Sequence, residues 1–379
     1  MEHLIPQSWF EPLATVWLLA ITLASLAVLV KGADWLVAAA VGIAYRFGIS
    51  KVIVGATVVS LGTTSPEAAV SVLAAWSGQS GLALGNAVGS ICADTGLIFG
   101  LGCLLAVLPA DRFVLQRQGW VQFGAALLLA GFCYVAFAMQ GDQAALGRGV
   151  GAFFLVLLII YLVVSVRWSR RHPAPAVAPV ASVGLSETVE VAKGEDPGTS
   201  PSVPAGPAVA AAAAVEQQRA IPLLAGIGVA GLVLVIFASR VLICAVSEIA
   251  IRWGVPQVVI AATLVAIGTS LPELVVGITS IVKGHGEILV GNVIGADVLN
   301  VLFVIGASAT AARLPIVELS AQVPRIFLYL HLPAMIVILL LFRIFIFSAV
   351  RRGEFRRWFG IPLVAIYVTY VVTQFLLST

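Results

Sequence analysis

The chain of 379 residues is 60% hydrophobic and only 10% charged, with a mean hydropathy of +1.08, whereas a water-soluble domain carries roughly 25% charged residues. A net charge of +3, from 21 Lys and Arg against 18 Asp and Glu, is too small to argue for nucleic acid. Apolar runs of about 20 residues suit a hydrocarbon core about 30 Å thick, and they lack the polar alternation of an outer-membrane barrel. The sequence predicts an all-α, polytopic membrane protein.

In chain order, the first apolar run covers residues 16–30. No basic segment or cleavage site precedes it, so it reads as a retained first span rather than a signal peptide. Spans follow near 14–46, 52–78, 82–108, 119–140 and 147–166. Residues 167–220 then turn rich in Pro, Ala, Ser and Gly, a composition that cannot bury enough apolar surface to order itself and predicts a linker. Five more spans lie near 221–252, 257–282, 287–312, 326–348 and 358–377. The organisation is thus a five-helix unit over 14–166, a disordered linker over 167–220 and a second five-helix unit over 221–377.

The four cysteines, Cys92, Cys103, Cys133 and Cys244, fall within apolar spans without CxxC pairing, and read as small packing residues. The histidines are scattered and form no HExxH, so a metalloprotease is unsupported.

The two halves repeat. A shift of 206 positions places Arg46 on Arg252, Ala56-Thr57 on Ala262-Thr263, Gly62-Thr63 on Gly268-Thr269 and Pro66-Glu67 on Pro272-Glu273. The same shift places Gly85-Asn86 on Gly291-Asn292, Gly89 on Gly295 and Gly100 on Gly306. Shared apolar composition would not reproduce this register of Gly, Asn, Pro and Glu. With five spans in each half, the second half enters the membrane from the opposite side, so the repeats are inverted.

Orientation follows from the basic residues. With the N-terminus outside, fourteen Lys and Arg fall on the cytoplasmic side, among them Arg112, Arg117, Arg351, Arg352, Arg356 and Arg357. Only Arg148, Arg252, Arg313 and Arg325 fall outside. Both termini are then external and the linker cytoplasmic. Asp34 and Arg240, 206 positions apart, are opposite charges that could pair or gate, but with Lys31 they lie within or near spans and read as snorkelling side chains. Trp9, Trp17, Trp120, Trp168, Trp253 and Trp358 sit near span ends, as interfacial anchors do.

The second span of each half is interrupted by GTTSPE (62–67) or GTSLPE (268–273). Pro66 and Pro272 each remove a backbone N–H and free the carbonyl four residues earlier. Irregular backbone survives at membrane depth only inside protein or beside a watery cavity. Freed carbonyls beside Thr63, Thr64, Thr269 and Ser270, with Glu67 and Glu273, make an oxygen cluster suited to a hard cation. An intramembrane carboxylate costs at least about 2.5–3.5 kcal/mol on insertion scales, so two in matching broken helices point to function. The third spans carry GNAVGSICAD (85–94) and GNVIGADVLN (291–300), adding Asn86, Ser90, Asp94, Asn292, Asp297 and Asn300. The Gly-x-x-x-Gly spacings there predict close helix packing. Glu67 precedes Asp94 by 27 residues, as Glu273 precedes Asn300.

These paired motifs resemble the α-repeats of the cation/calcium exchanger superfamily, and in particular its sodium/calcium exchanger branch of prokaryotic type. The resemblance implies ten helices in two inverted halves around four central ion positions. It implies that Glu67 and Glu273 are shared ligands of calcium and sodium, that Thr63 and Thr269 add calcium oxygens, and that Asp94 and Asn300 complete the centre. Thr64, Ser90 and Ser270 fall at the flanking sodium positions. The sequence departs from the family pattern at Ala296, where Ser is usual, and at Asp297, where Asn is usual.

The implied activity is antiport of calcium against sodium, with the lipid bilayer as surroundings, no cofactor and no enzymatic step. Potassium co-transport is known among relatives of the branch. Calcium/proton exchange is the alternative that Ala296 favours. A cation channel is disfavoured by two different acid sets and the lack of a carbonyl-ring filter, and an intramembrane enzyme by the lack of a substrate groove. Arg outnumbers Lys and the chain is rich in Ala and Gly, a composition pointing to a GC-rich bacterium and its cell membrane.

Overall fold

A computed structural model describes residues 7–171, 220–253, 269–317 and 325–378. The helices of the first half are α1 (Thr15–Phe47), α2 (Lys51–Thr63), α3 (Ser65–Trp76), α4 (Ser80–Leu105), α5 (Arg112–Gln140) and α6 (Arg148–Arg171). Those of the second are α7 (Ile221–Arg252), α8 (Leu271–Val282), α9 (Gly286–Ala311), α10 (Phe327–Arg352) and α11 (Gly360–Ser378). Among the described residues, eight helices are long and apolar enough to cross a bilayer, and α2 with α3 makes a ninth span bent by 43°. The remaining expected span is represented by α8; its first half, including Gly268, lies outside the described residues. So does most of the predicted linker, although α6 continues through Arg171, five residues past its predicted end.

Four two-residue strands show how the halves are arranged. β1 (Leu108–Pro109) pairs antiparallel with β4 (Glu354–Phe355), and β2 (Ala145–Leu146) with β3 (Leu314–Pro315). Helix α5 runs from β1 to β2, whereas its equivalent α10 runs from β3 to β4. The two equivalent helices therefore cross the membrane in opposite directions, which is the inverted relation that the odd span count predicts. Helices α1 and α7 cross in the same antiparallel sense: Gly32 meets Gly231, while Gly228 meets Ala39 further along. The β1/β4 face carries Arg112, Arg351, Arg352, Arg356 and Arg357, and the β2/β3 face carries Arg148, Arg313 and Arg325.

Burial ranks the helices. Of the apolar stretch of α9, 94% is buried, against 72% for α4 and only 22% for α7 and α11. The third spans of the two halves thus form the centre, and the outer helices expose Leu, Val, Ile and Phe where hydrocarbon covers them. All four cysteines are free and buried, as packing residues are.

Close approach of α2 to α9 depends on glycine. A Cβ on Gly291 would overlap the carbonyl of Val52, and one on Gly295 would overlap Ala56 O and Ser60 Oγ. On the other side, a Cβ on Gly55 would lie 2.6 Å from Ile288 O. The packing expected of the second Gly-x-x-x-Gly pair is therefore present. Around Gly85 the described residues leave the space open, and Gly89 has only the Tyr370 hydroxyl at 4.0 Å. The residues equivalent to the α2 contact, 258–266, lie outside the described set.

At the β1/β4 face, the turn between α8 and α9 holds His285, whose Nδ1 accepts from Lys51 Nζ at 3.2 Å. Burial first, then Lys51 and Lys283, push the His285 imidazole down to about 4 from its usual 6.5. Its neutral form contributes fully to stability above about pH 6.5, and that contribution is lost as the pH falls toward 4.

Two outcomes are expected. Thermal melts in detergent will show wild type losing stability between pH 6.5 and 4.5, with a smaller loss in His285→Asn, which has no imidazole to charge. Gly295→Leu will lower the melting temperature strongly or abolish the monodisperse species, because overpacking costs about 1–3 kcal/mol or more. Gly131→Leu, with open space around its Cβ, will leave the melt unchanged.

Candidate functional site

The interruption of the second span has the local cause that its sequence predicts. Pro66 stands in the first turn of α3 and donates no N–H, and Thr64 takes a bridge-like conformation (φ −82°, ψ −7°) between α2 and α3. Pro272 occupies the same place in α8, after Ser270 at φ −92° and ψ 9°. Helices α2 and α3 contain 13 and 12 residues, about 20 Å and 18 Å at 1.5 Å per residue, so the break lies near mid-membrane.

A second irregularity is absent from the sequence reading. The third spans each contain a π-helical stretch, Ala93–Phe99 in α4 and Asn300–Ile305 in α9. Asp94 is the second residue of one and Asn300 the first of the other. A π turn inserts an extra residue into the helix and often marks a functional position. Here each carries a buried polar residue of the third span at its first or second position.

These four irregular segments meet inside the protein. Thr63, Thr64, Glu67, Ser90, Asp94, Ser270, Glu273, Asp297 and Asn300 are all buried, with Glu67, Asp94 and Glu273 only 1% exposed. Thr269 is half-buried. Glu67 lies within electrostatic reach of Glu273 and Asp94, and Asp94 within reach of Glu273 and Asp297. Contacts cross between the halves. Thr64 Oγ1 donates to Glu273 Oε1 at 3.5 Å, and Thr63 Oγ1 donates to Asn292 Oδ1 at 3.3 Å. Asn86 instead stays within its own half and donates to Ser71 Oγ at 3.0 Å.

The side-chain oxygens far exceed the donors that could satisfy them. Glu67 Oε2, Glu273 Oε2, Asp94 Oδ1, Asn300 Oδ1, Ser90 Oγ and Ser270 Oγ are buried without a hydrogen-bond partner. Buried polar atoms are paired in the great majority of cases, so a concentration of orphan oxygens fits a cationic cargo. Among the described residues, no three acids or imidazoles converge into a metal site of their own. A cation held here would draw on hydroxyl and amide oxygens as well as carboxylates, as hard cations accept.

Asp297 stands apart from the other acids. Its Oδ2 accepts from Thr95 Oγ1 and from Gln122 Nε2, both at 2.5 Å, while Oδ1 is unpartnered. Thr95 and Gln122 were not among the residues singled out from sequence. Gln122 was accessible to that reading as a polar side chain inside a predicted span; Thr95 gave no signal, because its role depends on a partner 202 positions away. Asp34, read as snorkelling, pairs with Lys283 at 3.0 Å. Lys31 lies midway along the 33-residue α1, yet one turn from Asp34, whose partner Lys283 stands just beyond the end of α8.

Helix α3, set off from α2 by a break, meets its equivalent α8 at the midplane of two inverted repeats with buried oxygens between them, the architecture of a secondary transporter of cations. Comparison with known proteins agrees. The family described as "Sodium/calcium exchanger protein" matches residues 17–167 and 223–376. The sodium/calcium exchanger MaX1 of Methanosarcina acetivorans is 29% identical over 94% of this chain and 97% of its own. The putative antiporter CaxA of Alkalimonas amylolytica is 31% identical over 76% of this chain and 79% of its own. A solved structure of the sodium-calcium exchanger NCX_Mj shares the fold, with a TM-score of 0.70, 23% identity and coverage of 95% of this chain and 99% of that one. The chain belongs to the sodium/calcium exchanger protein family.

Removing one donor from Asp297 will be visible in stability. Gln122→Leu leaves the carboxylate with Thr95 alone and will cost about 1–3 kcal/mol. A lowered melting temperature in detergent checks this, and Gln122→Glu, which places two acids together, will lower it further.

Proposed function

We propose that the protein is a secondary antiporter that moves calcium across the membrane in exchange for sodium by alternating access. The observation that carries this reading is the meeting of the first turns of α3 and α8, from inverted repeats, which brings Glu67 and Glu273 within electrostatic reach among orphan oxygens near the membrane centre. Glu67 and Glu273 are the shared ligands of the two cations. Thr63 and Thr269 add oxygens for calcium, Asp94 and Asn300 complete the central position, and Thr64, Ser90 and Ser270 serve the flanking sodium positions. Asp297 adds negative charge beside Asp94, and its free oxygen is available where Ala296 supplies none.

Coupling follows from charge. Glu67, Glu273 and Asp94 give the empty site up to three negative charges, and moving unpaired charges past a hydrophobic barrier costs several kcal/mol per ion. Calcium or several sodium ions neutralise most of that charge, and both need the same oxygens. Only loaded states then change their side of access, which makes exchange obligatory and leaves no steady uncoupled conductance.

The protein acts in the cell membrane and contributes to calcium homeostasis, with its termini outside and residues 167–220 in the cytoplasm. The arginines concentrated on the β1/β4 face support this orientation.

The test uses purified protein in sodium-loaded liposomes diluted into sodium-free buffer containing calcium. Calcium uptake will follow the sodium gradient, and Glu67→Gln and Glu273→Gln will each reduce it at least about tenfold, because a hydrogen bond or contact to a charged group is worth about 1.5–3 kcal/mol. Uptake driven only by a pH gradient would overturn the sodium reading in favour of calcium/proton exchange.

A further inference from the structure

A second gathering of charged groups lies away from the ion site, at the β1/β4 face. A cleft of about 620 Å³ opens between α1 and α7. Lys31, Asp34 and Trp35 line one wall from a single side of α1, Leu223 and Gly226 line the opposite wall, and Lys283 closes the end. Lys283 lies one residue beyond α8 and Leu223 in the first turn of α7, so the cleft reaches the membrane interface.

The charges in this cleft do not balance. Lys283 Nζ is 3.0 Å from Asp34 Oδ1 and donates to the Asp34 carbonyl at 3.0 Å, which makes a neutral pair. Lys31 is exposed and, among the described residues, makes no ion pair or hydrogen bond. One ammonium is left over on a surface that otherwise faces lipid, where an uncompensated charge is expensive. A phosphodiester carries one negative charge and supplies what is missing. The exposed Trp35 beside it is of the type that settles at headgroup level. Gly226 lines the cleft and has nothing within 4 Å of an added Cβ, so the α7 wall is open there and leaves room for a hydrocarbon chain.

We propose that this cleft is a binding site for an anionic phospholipid of the leaflet at the β1/β4 face, with its phosphodiester on Lys31 and an acyl chain along Gly226. Basic pockets between membrane helices recognise such headgroups. A zwitterionic lipid brings its own cation toward Lys31 and Lys283 and is disfavoured by repulsion.

The test titrates detergent-solubilised full-length protein with phosphatidylglycerol, phosphatidylcholine or inorganic phosphate, and follows the melting temperature. Phosphatidylglycerol will raise it saturably in wild type, as a ligand of the folded state does, whereas phosphatidylcholine and phosphate will not. The apparent affinity will fall at least tenfold in Lys31→Gln and in Gly226→Leu, which fills the open part of the cleft without touching a charge. Lys31→Arg will retain it and controls for folding. An unchanged affinity in Lys31→Gln, an equal response to phosphatidylcholine, or an equal response to inorganic phosphate would each overturn the proposal. The readout is lipid binding rather than ion flux, so its failure is distinct from failure of the exchange reading.

Discussion

The structure depends on one constraint: a backbone polar group cannot be left unpaired in hydrocarbon. Pro66 and Pro272 break the hydrogen-bonding of a helix at the depth where that constraint is strictest. The broken segments must therefore be enclosed by protein, and the most buried helices, α4 and α9, provide the enclosure. Gly55, Gly291 and Gly295 bring α2 and α9 into backbone contact, which leaves no lipid between them. The same enclosure removes water from Glu67, Glu273 and Asp94, so these acids need compensation from something that can enter. The small-residue packing and the cation chemistry are two consequences of one proline in each half.

The inverted repeat answers a geometric problem. A site halfway across a membrane must be reachable from both sides, and two like units in opposite orientation can offer similar routes to each. The short ladders β1–β4 and β2–β3 each join one half to the other, one ladder at each face. They tie the ends of α5 to those of α10 at both faces. The halves are thereby held in register around the site, while the proposed ligands come from α2, α3, α4, α8 and α9 and the residues between them.

Much of this was legible in the sequence because the membrane restricts what a polar residue can mean. Composition identified the class, the 206-residue register revealed the repeat, and Pro, Gly and Glu inside apolar runs marked the broken helices. What was not legible depends on contacts between distant positions. The π turns that hold Asp94 and Asn300 have no side-chain signature. The Thr95–Asp297–Gln122 cluster joins three spans, and Asp297 stands at the position of Ile91 in the other half, so the repeat offered no counterpart. The pairing of Asp34 with Lys283 likewise joins α1 to the end of α8, whereas the repeat register offered Arg240 as its only symmetry-related counter-charge.

The departures from symmetry carry as much meaning as the symmetry. Asp94 faces a counterpart Asn300, Ser90 a counterpart Ala296, and Asp297 a counterpart Ile91. Glutamates are matched between the halves, whereas the remaining acids are not, so the charge of the site is lopsided while its backbone is nearly two-fold. Two-fold backbone geometry suits a site that opens to either side. The lopsided side chains suit a different need, since ions of unequal charge must share overlapping oxygens without occupying identical positions. Asp297 adds a complication that the other acids do not. Two donors hold one of its oxygens, so part of its charge is already compensated within the protein whatever ion is present. Each of Glu67, Glu273 and Asp94 likewise keeps one buried oxygen without a donor, and these three lie within electrostatic reach of one another. On the proposed mechanism those three acids face the cargo, and their combined charge limits which loaded states can cross the barrier.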